Sequence, residues 1–141
     1  MKLTEVIAKF LKKNEINSAF GLQGGAVVHI FDSLEENNLN VTYCHHEESA
    51  ALAGVANSKI TGKPGCVVVT SGPGCTNAIT GLLAAWQDSV PCIFISGQVR
   101  STHMSYGMNV RQFGTQEVPI IDIVKPIAKY AKVLEVKDEI L

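Results

Sequence analysis

The sequence predicts an α/β domain: a doubly wound, mostly parallel sheet with helices on both faces. Three observations predict it. Short apolar, β-branched segments alternate with segments of helical periodicity. The connections between strand segments are long enough for parallel crossovers. The run CVVVTS at 66–71 is apolar at successive positions, as a strand covered on both faces must be. The 141 residues suit one domain with its own core, and 46% hydrophobic against 18% charged residues place it among globular chains.

The elements follow in order. Thr4 is placed to cap a helix over 4–14, in which Val6, Ile7, Phe10 and Leu11 recur at helical spacing. A short strand is expected at 18–22, ended by the glycines of GLQGGA. Val27, Ile30, Phe31 and Leu34 predict a helix over 26–36, broken by Asn37-Asn38 before a strand at 41–44. The small-residue run ESAALAGVANSKI predicts a helix over 47–60 lying close against a sheet, stopped by TGKPG. After the strand at 66–71, Gly72-Pro73-Gly74 turns the chain into a helix running to about residue 87. Another buried strand follows at 91–96. Residues 99–117 are polar and weakly periodic, and so long a loop in a compact domain is usually functional. A short helix at 120–124, a last strand at 130–136 and the start of a further helix at DEIL complete the reading. The expectation is a single domain over 1–141 that forms the N-terminal part of a longer chain.

Composition excludes several classes. The net charge is -1 with no basic stripe, which argues against nucleic acid and anionic membrane as partners. The longest apolar runs are far too short to span a bilayer. The N-terminal MKLTEVIAKF lacks the long apolar stretch of a secretory signal, so a cytoplasmic location is expected. Cysteines 44, 66, 75 and 92 form no CxxC pair and match no zinc spacing, which reads as reduced core thiols.

Ligands of open α/β sheets bind beyond the carboxyl ends of the strands. Four features fall there: Gln23-Gly24-Gly25, His45-His46-Glu47-Glu48, Thr70-Ser71-Gly72-Pro73-Gly74 and Ser96-Gly97-Gln98. SGPGCTN follows a strand and opens a helix, which suits an anion. It is neither GxGxxG nor GxxxxGK[ST], and tight packing or close approach to a flat ligand explains its glycines as well. Glu47 and Glu48 begin a helix, where a carboxylate favours the dipole by about 0.3–1 kcal/mol. They project about 100° apart, so one of them at most faces the sheet mouth. Adjacent His45 and His46 make a poor chelate, and no metal site is expected.

Together GLQGGA, HHEESAALA, TGKPG, TSGPGCTNAITGLLAAWQDSVP and ISGQV resemble the pyrimidine-binding domain of acetolactate synthase and its thiamine-diphosphate relatives, from about Leu3 to Val133. The resemblance implies that Glu47 is the family's glutamate, exchanging a proton with the N1′ nitrogen of the cofactor's aminopyrimidine. It implies that Gln23, Gly24, Gly25, Pro73 and Asn77 shape the pyrimidine pocket, and that Thr70 and Gln116 lie near a 2-oxo acid substrate. The reaction implied is decarboxylation or carboligation. There are departures: Gln23 stands where the family has proline, Glu48 where glutamine is frequent, and Thr115 where an aromatic precedes Gln116. The segment HMSYGMNVRQFGTQE is longer and more polar than usual and resembles acetolactate-synthase-like proteins linked to surface-polysaccharide biosynthesis.

The family holds the cofactor's diphosphate and Mg²⁺ through a GDG…N motif on a separate domain, and FAD, where used, on another. No GDG occurs here. The resemblance therefore implies that this chain alone is inactive, and that a homodimer or tetramer shares the cofactor between subunits. The helices at 47–60 and 72–87, with Ala50, Ala51, Ala53, Gly54, Gly81, Ala84 and Ala85, are candidate subunit surfaces unless these small residues serve packing within the domain. The competing reading is a non-catalytic α/β module that binds a nucleotide or a partner.

Overall fold

A computed structural model describes residues 2–134. The chain runs α1 (Leu3–Lys13), β1 (Ser18–Gly21), α2 (Val28–Glu36), β2 (Asn40–Tyr43), α3 (Glu47–Thr61) and β3 (Gly65–Val69). It continues through α4 (Pro73–Asn77), α5 (Ile79–Gln87), β4 (Cys92–Ser96) and α6 (Ile120–Val124). The four strands form one sheet in the order β2-β1-β3-β4, and every pairing is parallel. The register sets Ser18 beside Asn40, Phe20 beside Val67, and Gly65 beside Cys92.

The order follows from crossover chirality. The step from β1 to β2 through α2 moves one way along the sheet; the step from β2 to β3 through α3 returns past β1. A right-handed crossover then puts α2 and α3 on opposite faces. The reversal lies between β1 and β3, and the connections that follow these two strands leave toward opposite faces there.

Central β3 shows the two faces directly, since alternate side chains of a strand point to opposite sides. Cys66 and Val68 join Ala8, Leu11, Phe31 and Leu34 from α1 and α2. Val67 and Val69 join Ala51, Cys75 and Ala78. All five β3 positions are buried, as its continuous apolar run predicts. Burial pushes the Cys66 thiol up to about 12, with a smaller contribution from neighbouring Cys92. The four cysteines are unpaired.

Three helices end in the same way. The Ile16 N–H donates to the Leu11 carbonyl and the Glu15 N–H to the Lys12 carbonyl, with Glu15 at φ 61°. The corresponding pairs are Leu39 to Leu34 with Asn38 to Glu35, and Val90 to Ala85 with Ser89 to Trp86. Each is a Schellman turn whose left-handed residue hands the chain to the next connection.

The small residues of α3 and α5 serve the domain interior. Ala50, Ala51, Gly54, Gly81 and Ala85 are all buried. A Cβ on Gly54 would lie 2.5 Å from Val67 Cγ2, and one on Gly81 would strike Ala51. These five residues let α3 lie on the sheet and α5 lie on α3, so packing within the domain accounts for them; Ala53 and Ala84 are half-buried.

Three expectations need correction. Thr4 does not cap α1: Lys2 stands at the cap, and Thr4 lies inside the first turn, its hydroxyl accepting from Ser33 Oγ at 2.7 Å. The helix expected over 72–87 is interrupted at Ala78, where ψ is -9°, so α4 and α5 are separate. The strand expected over 130–136 does not form over its described residues 130–134; Tyr130 and Leu134 are exposed, and among the described residues no strand is assigned there. An alternating pattern marks an extended chain, but a strand also needs a ladder partner. Residues 135 and 136, and the helix start expected at DEIL, lie outside the described residues. Among the described residues, no helix is long and apolar enough to cross a membrane.

Candidate functional site

Three connections meet at the carboxyl ends of β1, β2 and β3. Glu47 opens α3 and is only 8% exposed, whereas Glu48 is half-buried and His45 is exposed. His46 is the helix N-cap, its Nδ1 accepting from the Glu48 N–H at 3.2 Å. Capping thus accounts for one histidine of the pair. It also fixes the first turn of α3, so that Glu47 faces inward.

Glu47 meets the turn after β3. Asn77 Nδ2, at the end of α4, donates to Glu47 Oε2 at 3.0 Å. A Cβ on Gly74 would stand 3.4 Å from Glu47 Oε1 and 2.6 Å from Thr70 Cγ2. Thr70 is also the wall against which Gly24 lies, since a Cβ there would come within 2.5 Å of Thr70 Cβ. Gly25 has open space where a side chain would be. The loop after β1 therefore touches the loop after β3 across the switch point, and the carboxylate lies at one end of that contact.

Of the sequence-predicted residues, Gly24, Glu47, Thr70 and Asn77 are brought together, with Gly25 beside them. Pro73 is exposed at the first position of α4, where its missing N–H costs nothing. Gln23 is exposed and hydrogen-bonds with Tyr43, away from Glu47. Gln116 reaches the mouth through its backbone. A Cβ on Gly72 would lie 2.7 Å from Gln116 Cβ and 2.9 Å from the Gln116 carbonyl oxygen. Gly72 adopts φ 63° and Gln116 φ 63°, two left-handed residues packed on each other.

The loop over 99–117 is ordered by two side chains: Gln98, already among the strand-end residues, and Glu117, which sequence reasoning did not single out. Gln98 Nε2 donates to the Val118 carbonyl at 3.0 Å, while its Oε1 accepts from the Val99 N–H at 2.9 Å, closing the base of the loop. Glu117 Oε1 accepts from the Ser105 N–H at 2.7 Å and from Ser105 Oγ at 2.8 Å. Its Oε2 accepts from the Phe113 N–H at 2.9 Å and the Gly114 N–H at 3.4 Å. These donors hold the Glu117 carboxyl down at about 2, the Ser105 N–H contributing most. The available signal was an acid following the glycine turn of a long polar loop.

The structure also contains a cavity of about 250 Å³, lined by Glu15, Asn17, Ser18, Asn57 and Lys63 among others. Ser18 opens β1, so this cavity lies at the amino ends of the strands. It is closed in part by the Glu15–Lys63 ion pair and is remote from the mouth. The strand-end cleft is the better candidate because it joins a buried carboxylate to walls without side chains. Among the described residues, no group of three or more His, Cys, Asp or Glu is placed to hold a metal ion.

The sequence profile described as "Thiamine pyrophosphate enzyme, N-terminal TPP binding domain" matches residues 1–124. The chain belongs to that family. It is 36% identical over 137 residues to the acetolactate synthase large subunit of Haemophilus influenzae, covering 96% of this chain and 23% of that protein. It is 38% identical over 137 residues to the acetolactate synthase large subunit of Buchnera aphidicola subsp. Acyrthosiphon pisum, with the same coverage of 96% and 23%. Against the acetolactate synthase isozyme 2 large subunit of Escherichia coli the identity is 33% over 130 residues, 92% of this chain and 23% of that one. The chain thus spans about a quarter of the length of these relatives. Its four-stranded parallel sheet is the fold that the resemblance implied for a thiamine-pyrophosphate-binding domain.

The cleft fits the pyrimidine end of that cofactor. An aminopyrimidine is flat and carries a ring nitrogen that a carboxyl group can address. Gly24 and Gly74 let two loops close on Thr70 beside the buried Glu47 carboxyl group, and the open space beside that contact is at Gly25.

Proposed function

We infer that this chain binds and activates the pyrimidine end of thiamine diphosphate within a 2-oxo acid decarboxylase or carboligase resembling acetolactate synthase. The observation that carries the reading is the buried Glu47 carboxylate, held by Asn77 at 3.0 Å beside the Gly24–Thr70–Gly74 wall. When bound, the cofactor supplies an acidic carbon that becomes the nucleophile toward a 2-oxo acid.

The chain's own residues have separable tasks. Glu47 holds and returns one proton at the pyrimidine N1′, which needs a group that both accepts and donates. Asn77 fixes the carboxylate through Oε2 and leaves Oε1 for the ring nitrogen. Gly25 leaves no side chain in the path of the ring, Gly24 and Gly74 let the two loops close on Thr70 behind it, and Pro73 shapes the entrance from α4. Thr70 and Gln116 border the substrate side. Gln23 is given a peripheral role, since its side chain turns to Tyr43.

We assign the diphosphate and its Mg²⁺ to a second domain, as the family resemblance implies; among the described residues no acidic cluster is arranged for a cation. Assembly of the site then requires a second surface, which favours a homodimer. Leu52 on α3 and Leu83 and Trp86 on α5 are exposed apolar side chains on two helices packed on each other. The departures at Gln23 and Thr115 leave the 2-oxo acid to be identified by experiment.

The test is calorimetric titration of the full-length protein with thiamine diphosphate and Mg²⁺, followed by assay with pyruvate and longer 2-oxo acids. Saturable binding with cofactor-dependent release of CO₂ supports the reading. Binding of NAD or ATP with no response to thiamine diphosphate contradicts it in favour of a nucleotide-binding module.

A further inference from the structure

Glu117 has no part in the chemistry just assigned, yet its carboxylate takes four hydrogen bonds from one loop. Three come from backbone N–H groups of Ser105, Phe113 and Gly114, and one from the Ser105 hydroxyl. The bonds reach across twelve residues, so they draw the two arms of the loop together. Gly114 is pressed against Val99 and the His103 carbonyl, and His103 meets Phe113 edge to face at 6.0 Å. The base is tied separately by Gln98. A loop whose ends meet and whose centre is knotted is a fixed body rather than a tether.

The knot is one residue from the mouth. Gln116, directly before Glu117, lies against Gly72 in a left-handed conformation. Gly72 starts the turn that carries Gly74, which faces the Glu47 carboxylate, and Asn77, which donates to it. A left-handed glutamine is an uncommon conformation that its surroundings must impose. Gln116 is the third residue of a turn closed by the Glu117 N–H donating to the Gly114 carbonyl at 3.2 Å, and the Glu117 carboxylate ties the same turn by accepting from the Gly114 N–H at 3.4 Å.

We propose that Glu117 is a positioning residue: by knotting the loop over 99–117 it seats Gln116 on Gly72 and so fixes the substrate-side wall of the cleft. The role rests on the reading of this cleft as the cofactor and substrate site. Its physical part, that loosening the knot loosens the Gly72 turn, can be measured without either ligand.

Glu117→Gln tests it. Either orientation of the amide sets an N–H against a loop N–H that the carboxylate had accepted from. Amide hydrogen exchange without cofactor is expected to quicken about tenfold or more at Phe113 and Gly114. It should also quicken by about threefold or more at Gly74 and Thr76, while β3 amides stay within about twofold. In the holoenzyme, KM for pyruvate as probe is expected to rise about tenfold, with kcat and the Kd for thiamine diphosphate within about twofold to threefold. Faster exchange confined to 105–114, with Gly74 and Thr76 unmoved, would overturn the proposal and leave Glu117 a local staple. Should Glu117→Gln not fold, Ser105→Ala, which removes one arm, decides by the same Gly74 and Thr76 amides. Failure of wild-type protein to bind thiamine diphosphate would instead defeat the cofactor reading, and the exchange result would stand apart from it.

Discussion

Replacing Asn77 with alanine removes the amide that donates to Glu47 Oε2 at 3.0 Å. It leaves a carboxylate that is 8% exposed with one donor fewer. A hydrogen bond to a carboxylate contributes about 1.5–3 kcal/mol. Asn77 is itself half-buried, so water replaces part of what is lost, and the expected destabilisation is about 1–2 kcal/mol. Asn77→Asp keeps the shape but sets a second carboxylate against the first, so it should cost more than Asn77→Ala. Urea unfolding of Asn77→Ala, Glu47→Ala and the double variant forms a cycle whose coupling is expected to be about 1 kcal/mol with unchanged m-values. Additivity within about 0.3–0.5 kcal/mol would refute the reasoning, because the two side chains would then not depend on each other.

Lowering pH tests the loop knot independently. The Glu117 carboxyl is held at about 2 against an ordinary 4.5, so the unfolded loop takes up a proton before the folded one does. The stabilisation is full above the ordinary value and is lost as pH falls through about 2; the Phe113 and Gly114 amide resonances should therefore show no inflection near 4.5. An inflection there would show the carboxylate free in solution. Ser89→Gly places glycine at φ 54°, and relief of left-handed strain should outweigh the added chain entropy by about 0.5–1 kcal/mol, raising the urea midpoint. A lowered midpoint would mean that Ser89 makes a stabilising contact. Cys66, buried and pushed up to about 12, should resist alkylation at pH 8 in the folded protein while half-buried Cys44 reacts first, as peptide mass spectrometry would show. Labelling of Cys66 at the rate of Cys44 would contradict the packing of β3 between two layers.

What was legible in the residues was whatever depends on local pattern. CVVVTS reads as a doubly covered strand because each of its side chains is apolar, and β3 is buried at every position. The SGPG turn reads as a strand-to-helix junction because proline suits the first helical position. What depends on a distant partner was less visible. Glu15 and Ser89 adopt left-handed conformations with side chains that do not announce them. The segment at 130–134 has a strand's alternation, but no strand forms there among the described residues. Glu117 looks like a surface acid until the chain brings three backbone N–H groups to it. At the site, Glu47 and Glu48 were equivalent by type. The His46 cap and the inward face of α3 distinguish them.

The most direct measurement of the central claim is the rate of hydrogen–deuterium exchange at the thiazolium C2 of thiamine diphosphate in the holoenzyme, for wild type and Glu47→Gln. The account expects Glu47→Gln to remain folded and to bind the cofactor, with exchange slower by about 10²-fold or more. Exchange at the wild-type rate would show that the carboxyl group at this position moves no proton for the cofactor.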